Sequence, residues 1–177
     1  MEKDNFVVIT GGPGSGKSTI LDSLSKLGYK FIGETARTII KERLSRGLQP
    51  RPSPEEFAQQ IFAIDFKNYF THIDTVEPVF FDRSFLDSAS MIFDATTTEN
   101  KRVTEILKTY RFGKNVFIAP PWKEIYRNDS ERDQSYEDSI AICEKLRTWY
   151  ELNDYVLIQL PKCDIEGRIQ FILDHIK

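Results

Sequence analysis

Apolar residues fall into two alternating rhythms along the chain. Short, nearly unbroken runs occur at Phe6-Val7-Val8-Ile9, Tyr29-Lys30-Phe31-Ile32, Val79-Phe80-Phe81, Asn115-Val116-Phe117-Ile118 and Tyr155–Leu160. Their lengths, branched and aromatic residues and lack of polar alternation predict strands covered on both faces. Between them, apolar positions recur every three or four residues, as one face of a helix requires. Ile20, Leu21, Leu24 and Leu27 mark one helix, which Gly28 ends. A second begins at Thr35 and runs to about Arg46, closed by Gly47. The third opens on Ser53-Pro54-Glu55-Glu56, with serine at the cap, proline at the first position and glutamate three residues past the cap. It carries a wide stripe of Phe57, Ile61, Phe62, Ile64, Tyr69, Phe70 and Ile73, which reads as core. Ser84 can cap a fourth helix through Phe93. After the polar break Ala95–Thr98, Val103, Ile106, Leu107 and Tyr110 share one face of a fifth. Helices over Tyr136–Leu152 and Ile165–Ile176 complete the pattern. Strands alternating with helices predict an α/β fold, a five-stranded parallel sheet with helices on both faces. The 177 residues suit a single domain over 1–177.

Ligands of such sheets sit at the carboxyl ends of the strands. After the first strand stands Gly11-Gly12-Pro13-Gly14-Ser15-Gly16-Lys17-Ser18. This is the P-loop spacing, G-x-x-x-x-G-K-[ST], between a strand and a helix as the motif requires. Glycines let the backbone curl so that successive N–H groups form an anion nest, and the helix dipole adds to it. Lys17 is expected to reach the β- and γ-phosphates of a nucleotide, Ser18 to place its hydroxyl on Mg²⁺, and Thr19 to add a phosphate contact. Asp82, ending the third strand, is the matching acid for the metal. The expected cofactors are therefore a nucleoside triphosphate and Mg²⁺, with Ser18 and Asp82 as metal ligands.

Net charge is −3 and 29% of residues are charged. That disfavours duplex nucleic acid as the main partner. No apolar run is long enough to span a bilayer, and Met1-Glu2-Lys3-Asp4 leads straight into a strand without a signal-peptide core. Cys143 and Cys163 lack metal spacing and read as reduced thiols, so a cytoplasmic location is expected. His72 and His175 stand alone in polar or terminal stretches and read as surface residues.

Four further positions carry candidate chemistry. Glu34, after the second strand, can orient or deprotonate an acceptor hydroxyl, with Arg37 as an i, i+3 ion-pair partner. Arg83 suits a phosphate or an acceptor carboxylate, or a salt bridge that positions Asp82. The charged segment Trp122–Gln134 follows the fourth strand and reads as a lid, about 121–135. Arg127 and Arg132 could swing from it over the phosphates; the alternative is a solvated face with Glu131 and Asp133 as partners. Lys162 and Cys163 either edge the nucleotide base or belong to an ordinary loop. Gln59, Gln60 and Asp65 are candidate pocket residues on the third helix.

The P-loop, Glu34-Thr35-Ala36-Arg37, Phe81-Asp82-Arg83-Ser84, Pro120-Pro121-Trp122, Tyr126-Arg127-Asn128-Asp129, Glu131-Arg132 and the Tyr155 strand ending in Pro161 together resemble a family of small AAA-domain P-loop ATPases. More distantly the chain is similar to nucleoside and nucleotide kinases, including nicotinamide riboside kinase. Asp82-Arg83-Ser84 resembles the acidic-Arg-Ser triplet of deoxynucleoside kinases, and Glu34 stands where those kinases carry an acceptor-side acid. The resemblance implies a three-layer P-loop NTPase fold and ATP binding. Motor ATPases follow the strand acid with a glutamate, whereas Arg83 stands here, and the guanine signature N-K-x-D is absent. The reading that follows is a phosphotransferase moving the ATP γ-phosphate to a small nucleoside- or nucleotide-like acceptor. The alternatives are a slow NTPase or nucleotide-dependent switch acting through a protein partner, and a binding module without turnover.

Overall fold

The computed structural model describes residues 1–95, 100–127 and 134–176. In chain order the elements are β1 (Glu2–Lys3), β2 (Phe6–Gly11), α1 (Lys17–Lys26), β3 (Lys30–Ile32), α2 (Thr35–Ser45), α3 (Pro54–Thr71), β4 (Val79–Asp82), α4 (Phe85–Ala95), α5 (Asn100–Thr109), β5 (Arg111–Phe112), β6 (Asn115–Ala119), α6 (Tyr136–Leu152), β7 (Val156–Gln159) and α7 (Ile165–His175). The main sheet has five strands in the order β3-β4-β2-β6-β7, and every pairing is parallel. This is the α/β architecture expected from the alternating runs. The pair β1–β5 forms a separate two-stranded parallel ladder that the hydrophobic pattern did not announce.

Side chains alternate across each strand, so β2 feeds two cores. Phe6 and Val8 pack with α3, α4, α5 and α6 through Tyr69, Phe85, Leu107 and Tyr150. Val7 and Ile9 face α1 and α7 through Ile20, Leu21, Leu24 and Ile172. A strand buried on both faces cannot carry polar alternation, which is why its sequence is an unbroken apolar run. Ser53 caps α3 by accepting from the Glu56 N–H at 3.3 Å, and Ser135 caps α6 in a reciprocal box with Asp138.

The strand order sets the site. With β2 central and β4 beside it, Ile9 pairs with Asp82, and Gly11 pairs with Ala119 of β6. The carboxyl ends of β2, β4 and β3 therefore deliver the P-loop, Asp82 and Glu34 to one edge. Among the described residues, no helix is long and apolar enough to cross a membrane.

Candidate active site

Close contacts from behind shape the loop between β2 and α1. A Cβ on Gly11 would lie 2.3 Å from the Ala119 carbonyl oxygen, and one on Gly12 would lie 2.3 Å from that of Ser139. Neither position admits a side chain. Gly16, the N-cap of α1, sits at φ +85°. Ser139 of α6 donates to the Pro13 carbonyl at 2.6 Å, Ser15 Oγ to the Gly12 carbonyl at 2.9 Å, and Arg168 Nη1 of α7 to the Ser15 carbonyl at 3.1 Å. Carbonyls satisfied in this way do not compete for the N–H groups that an anion nest must offer. Lys17 is buried, and its Nζ donates to the carbonyls of Gly11 at 3.1 Å and Gly12 at 2.8 Å. Burial, helped by the charge of Arg83, lowers its pKa to about 8 against the pull of Asp82, Glu34 and Asp87. Ser18 and Thr19 lie exposed at the mouth.

Asp82 shows what the loop faces. Its Oδ2 lies 3.5 Å from Ser18 Oγ, which donates to it, whereas its buried Oδ1 has no hydrogen-bond partner among the described residues. Burial raises its pKa to about 6, although Lys17 opposes the shift. An orphaned carboxylate oxygen beside a hydroxyl fits Mg²⁺, which prefers hard oxygen ligands and takes one or two carboxylates, with phosphate and water supplying the rest. No cluster of three or more His, Cys, Asp or Glu suited to a metal occurs among the described residues, so a cation here needs phosphate oxygens to fill its shell.

Beside Asp82, Arg83 sits at φ +71°, a conformation that disfavours side chains and must be held by its surroundings. Its Nε donates to Glu34 Oε1 at 3.1 Å and its Nη1 to Asp87 Oδ1 at 3.2 Å. The salt bridges of Arg83 thus run to Glu34 and Asp87, not to Asp82. Asp87 is buried and also accepts from Thr10 Oγ1 at 2.5 Å, the Ser84 N–H at 3.0 Å and Tyr150 OH at 2.6 Å. It ties β2, the β4–α4 turn and α6 to Arg83. Burial pushes the Glu34 carboxyl up, but Arg83 and Lys17 together hold it below its usual value. Arg37 Nε lies 3.9 Å from Glu34 Oε2.

One cleft of about 400 Å³ joins these groups. It runs from the P-loop past Ser18, Asp82, Glu34 and Arg83 to a wall on α2, α3 and α4 that includes Phe57, Asp65 and Ser88. Arg37 and Arg127 also line it. The exposed Arg127 donates to the carbonyls of Tyr126 at 2.8 Å and Glu124 at 3.3 Å. Arg132, with Glu131 and Asp133, lies outside the described residues. Gln59 and Gln60 do not line the cleft; they bond to Glu55 and Glu56 one turn back on α3. Lys162 and Cys163 are likewise not on its wall. Sequence reasoning did not single out Asp87, Tyr150, Ser139 or Arg168. The available signal was a polar residue in a helix position that its neighbours fill with apolar ones. Arg168 is 3% exposed and lies 5.8 Å from the Trp122 ring centre; burial lowers its pKa.

A family model described as an AAA domain matches residues 6–168. No curated protein matches the sequence. Among solved structures, deoxyadenosine kinase from M. mycoides with bound dATP aligns at a TM-score of 0.68 and 17% identity, over 97% of this chain and 98% of that one. The same enzyme with products dCMP and dCDP gives 0.69 at 16% identity, over 97% and 98%. Thymidylate kinase from Candida albicans gives 0.60 at 13% identity, over 98% and 91%. At these identities the likeness is one of fold, a P-loop fold shared along nearly the whole chain.

Proposed function

The chain belongs to the AAA-domain family, and from that footing we propose that it is an ATP-dependent phosphotransferase acting on a small nucleoside- or nucleotide-like acceptor. The observation that carries the reading is the continuous cleft. Its lining joins the P-loop, a Glu34 held ionised by Arg83, and a partly apolar wall on α2, α3 and α4. A hydrolase needs a residue that activates water. Here an arginine, Arg83, follows Asp82 where motor ATPases carry a glutamate. The solved kinases with this fold bind dATP and the products dCMP and dCDP, which supports the same class of ligand.

In this reading residues 1–177 act as one domain. The backbone of residues 11–16 cradles the triphosphate, and Lys17 leaves its loop carbonyls for the β- and γ-oxygens. Ser18 and Asp82 would hold Mg²⁺, which neutralises charge shared by those oxygens. The acceptor oxygen attacks the γ-phosphorus as the bond to ADP breaks. Phosphoryl transfer passes through a loose transition state with little need for a strong base. Glu34, held anionic by Arg83 and Lys17, suits the lesser task of orienting the acceptor O–H and taking its proton late. Arg83, with Arg127 and Arg132 of the lid segment, supplies cations for the equatorial oxygens.

Labelled ATP incubated with a panel of nucleosides and nucleotides tests this. Label is expected on at least one acceptor, lost in Lys17→Ala and reduced about a hundredfold in kcat in Glu34→Gln. Tight binding of Mg²⁺·ATP with no labelled acceptor in the whole panel overturns it.

A further inference from the structure

The end of the cleft away from the P-loop carries its own polar cluster. Asp65 of α3 is held between two hydroxyls: Thr35 Oγ1, at the start of α2, donates to Oδ1, and Ser88 Oγ of α4 donates to Oδ2 at 3.3 Å. A carboxylate offers about four lone-pair directions, so two bonds leave one acceptor site on each oxygen. Asp65, Thr35 and Ser88 all line the cleft, together with Ile40, Phe57, Ile61 and Met91. The result is a hydrogen-bond acceptor set in an apolar wall, the usual composition of a site that grips a flat ring by its face and reads it by its edge. Folding keeps this carboxyl at a cost: burial raises its pKa to about 7 against the effect of both hydroxyls. Packing alone would not retain a desolvated acid there.

We propose that the acceptor is a nucleoside or nucleotide whose base presents an N–H donor, an exocyclic amino group, to Asp65, with its sugar toward Glu34 and Arg83. This rests on the phosphotransferase reading and narrows it. Apolar side chains favour a planar ring over a bare sugar. A carboxylate favours an amino edge over a carbonyl edge, because a carbonyl sets oxygen lone pairs against oxygen lone pairs. Asp65 is thus the residue that determines specificity, and Thr35 and Ser88 fix its orientation.

Binding, rather than turnover, separates this inference from the reading beneath it. Cytidine and uridine, and adenosine and inosine, are titrated calorimetrically at pH 8, where the carboxyl is ionised. A non-hydrolysable ATP analogue and Mg²⁺ are present throughout. The amino member of each pair is expected to bind about tenfold or more tightly, since a carbonyl edge leaves the remaining acceptor sites of Asp65 unmet and facing lone pairs. Asp65→Asn, whose amide both donates and accepts, should bring each pair to near equality. Equal affinities in the native protein, no binding of any nucleoside, or a preference that survives Asp65→Asn overturns the proposal. Should the variant fail to fold, the native pairs decide alone. A nucleoside bound with the amino preference that never acquires label from ATP removes the phosphotransferase and leaves the recognition. Transfer with no amino preference does the reverse.

Discussion

Replacing Asp87 by asparagine should destabilise this protein far more than its conservative shape suggests. Oδ1 accepts from Thr10 Oγ1 and Arg83 Nη1, whereas Oδ2 accepts from the Ser84 N–H and Tyr150 OH. Asparagine must put an N–H group on one of these sides. On the first, it meets Arg83, which cannot accept; on the second, it meets the Ser84 backbone N–H, which cannot accept either. The hydroxyls of Thr10 and Tyr150 can turn, but one opposed donor pair survives either flip. Losing a charge-assisted bond and leaving a buried donor unmet together cost about 3 kcal/mol. For a chain of this size each kcal/mol moves Tm by about 2–4 °C, so calorimetry should show a fall of about 6–12 °C. Asp94→Asn is the control: its partner Lys145 is exposed, as is Asp94 itself, and its loss should cost under about 1 kcal/mol. An Asp87→Asn protein melting within about 2 °C of the native one would show that the network around Arg83 is not the anchor argued here.

Three other outcomes follow from the same geometry. Folding lifts the Asp65 carboxyl from its usual 3.8 to about 7, so the folded form binds the extra proton between those values and loses stability as pH rises through them. Asp65→Asn does not titrate, and its Tm should climb relative to the native protein from pH 4.5 to pH 8; a flat difference refutes the burial of that charge. Arg168→Lys keeps a cation but loses the Nη1 bond that holds the Ser15 carbonyl, and should raise the dissociation constant for Mg²⁺·ATP about fivefold while leaving nucleoside affinity unchanged; equal losses at both ends would mean general damage. Asp82→Asn should weaken binding of Mg²⁺·ATP about tenfold yet strengthen binding of ATP in excess chelator, since it removes a desolvated negative charge facing the phosphates; the same rank order in both buffers rules this out.

The P-loop end of the cleft was legible because its pattern is local. Gly11, Gly16, Lys17 and Ser18 lie within eight residues, and apolar runs on either side declare the strand and helix that hold them. Asp82 and Glu34 were legible for a related reason: in a parallel sheet, the residue that ends a strand is already near the ligand. The strand order was not, since nothing in Tyr29–Ile32 says that it pairs with β4 rather than β2. The β1–β5 ladder has two residues per strand, too few for any period to register. Asp87, Tyr150 and Arg168 escaped notice because their meaning lies in distant partners: Tyr150 meets Asp87 across 63 residues, and Arg168 meets Ser15 across 153. Asp65 was a candidate alongside Gln59 and Gln60, and nothing in the sequence separates the three; of them the cleft wall includes Asp65 alone. The backbone-built half of the cleft can be read from spacing, whereas the half built from side chains on three helices cannot.

In the proposed reading, charge favours a nucleotide that arrives together with its metal. The cluster at the strand ends holds two cations, Lys17 and Arg83, against three carboxylates, Glu34, Asp82 and Asp87, and none of the five is more than a quarter exposed. One negative charge is in excess, in a place that water screens poorly. Burial raises the Asp82 pKa to about 6 there, with Glu34 and Asp87 adding to the shift and Lys17 and Arg83 opposing it. A bare triphosphate would deepen it, and the cations Arg37, Arg51, Arg127 and Lys145 lie at the rim, half-buried or exposed, where solvent and salt blunt them. From these positions they can steer an anion inward, and only a side chain that swings in from the lid segment, as proposed for Arg127, could help to balance it once it is seated. A divalent ion held by Asp82 and Ser18 would turn the local excess positive, so that the carboxylate cluster would no longer repel the triphosphate that the cradle of amides attracts. In the proposed reading the ligand of the site would be the metal complex, and Asp82 would act as a gate against the free nucleotide as much as a ligand for the ion.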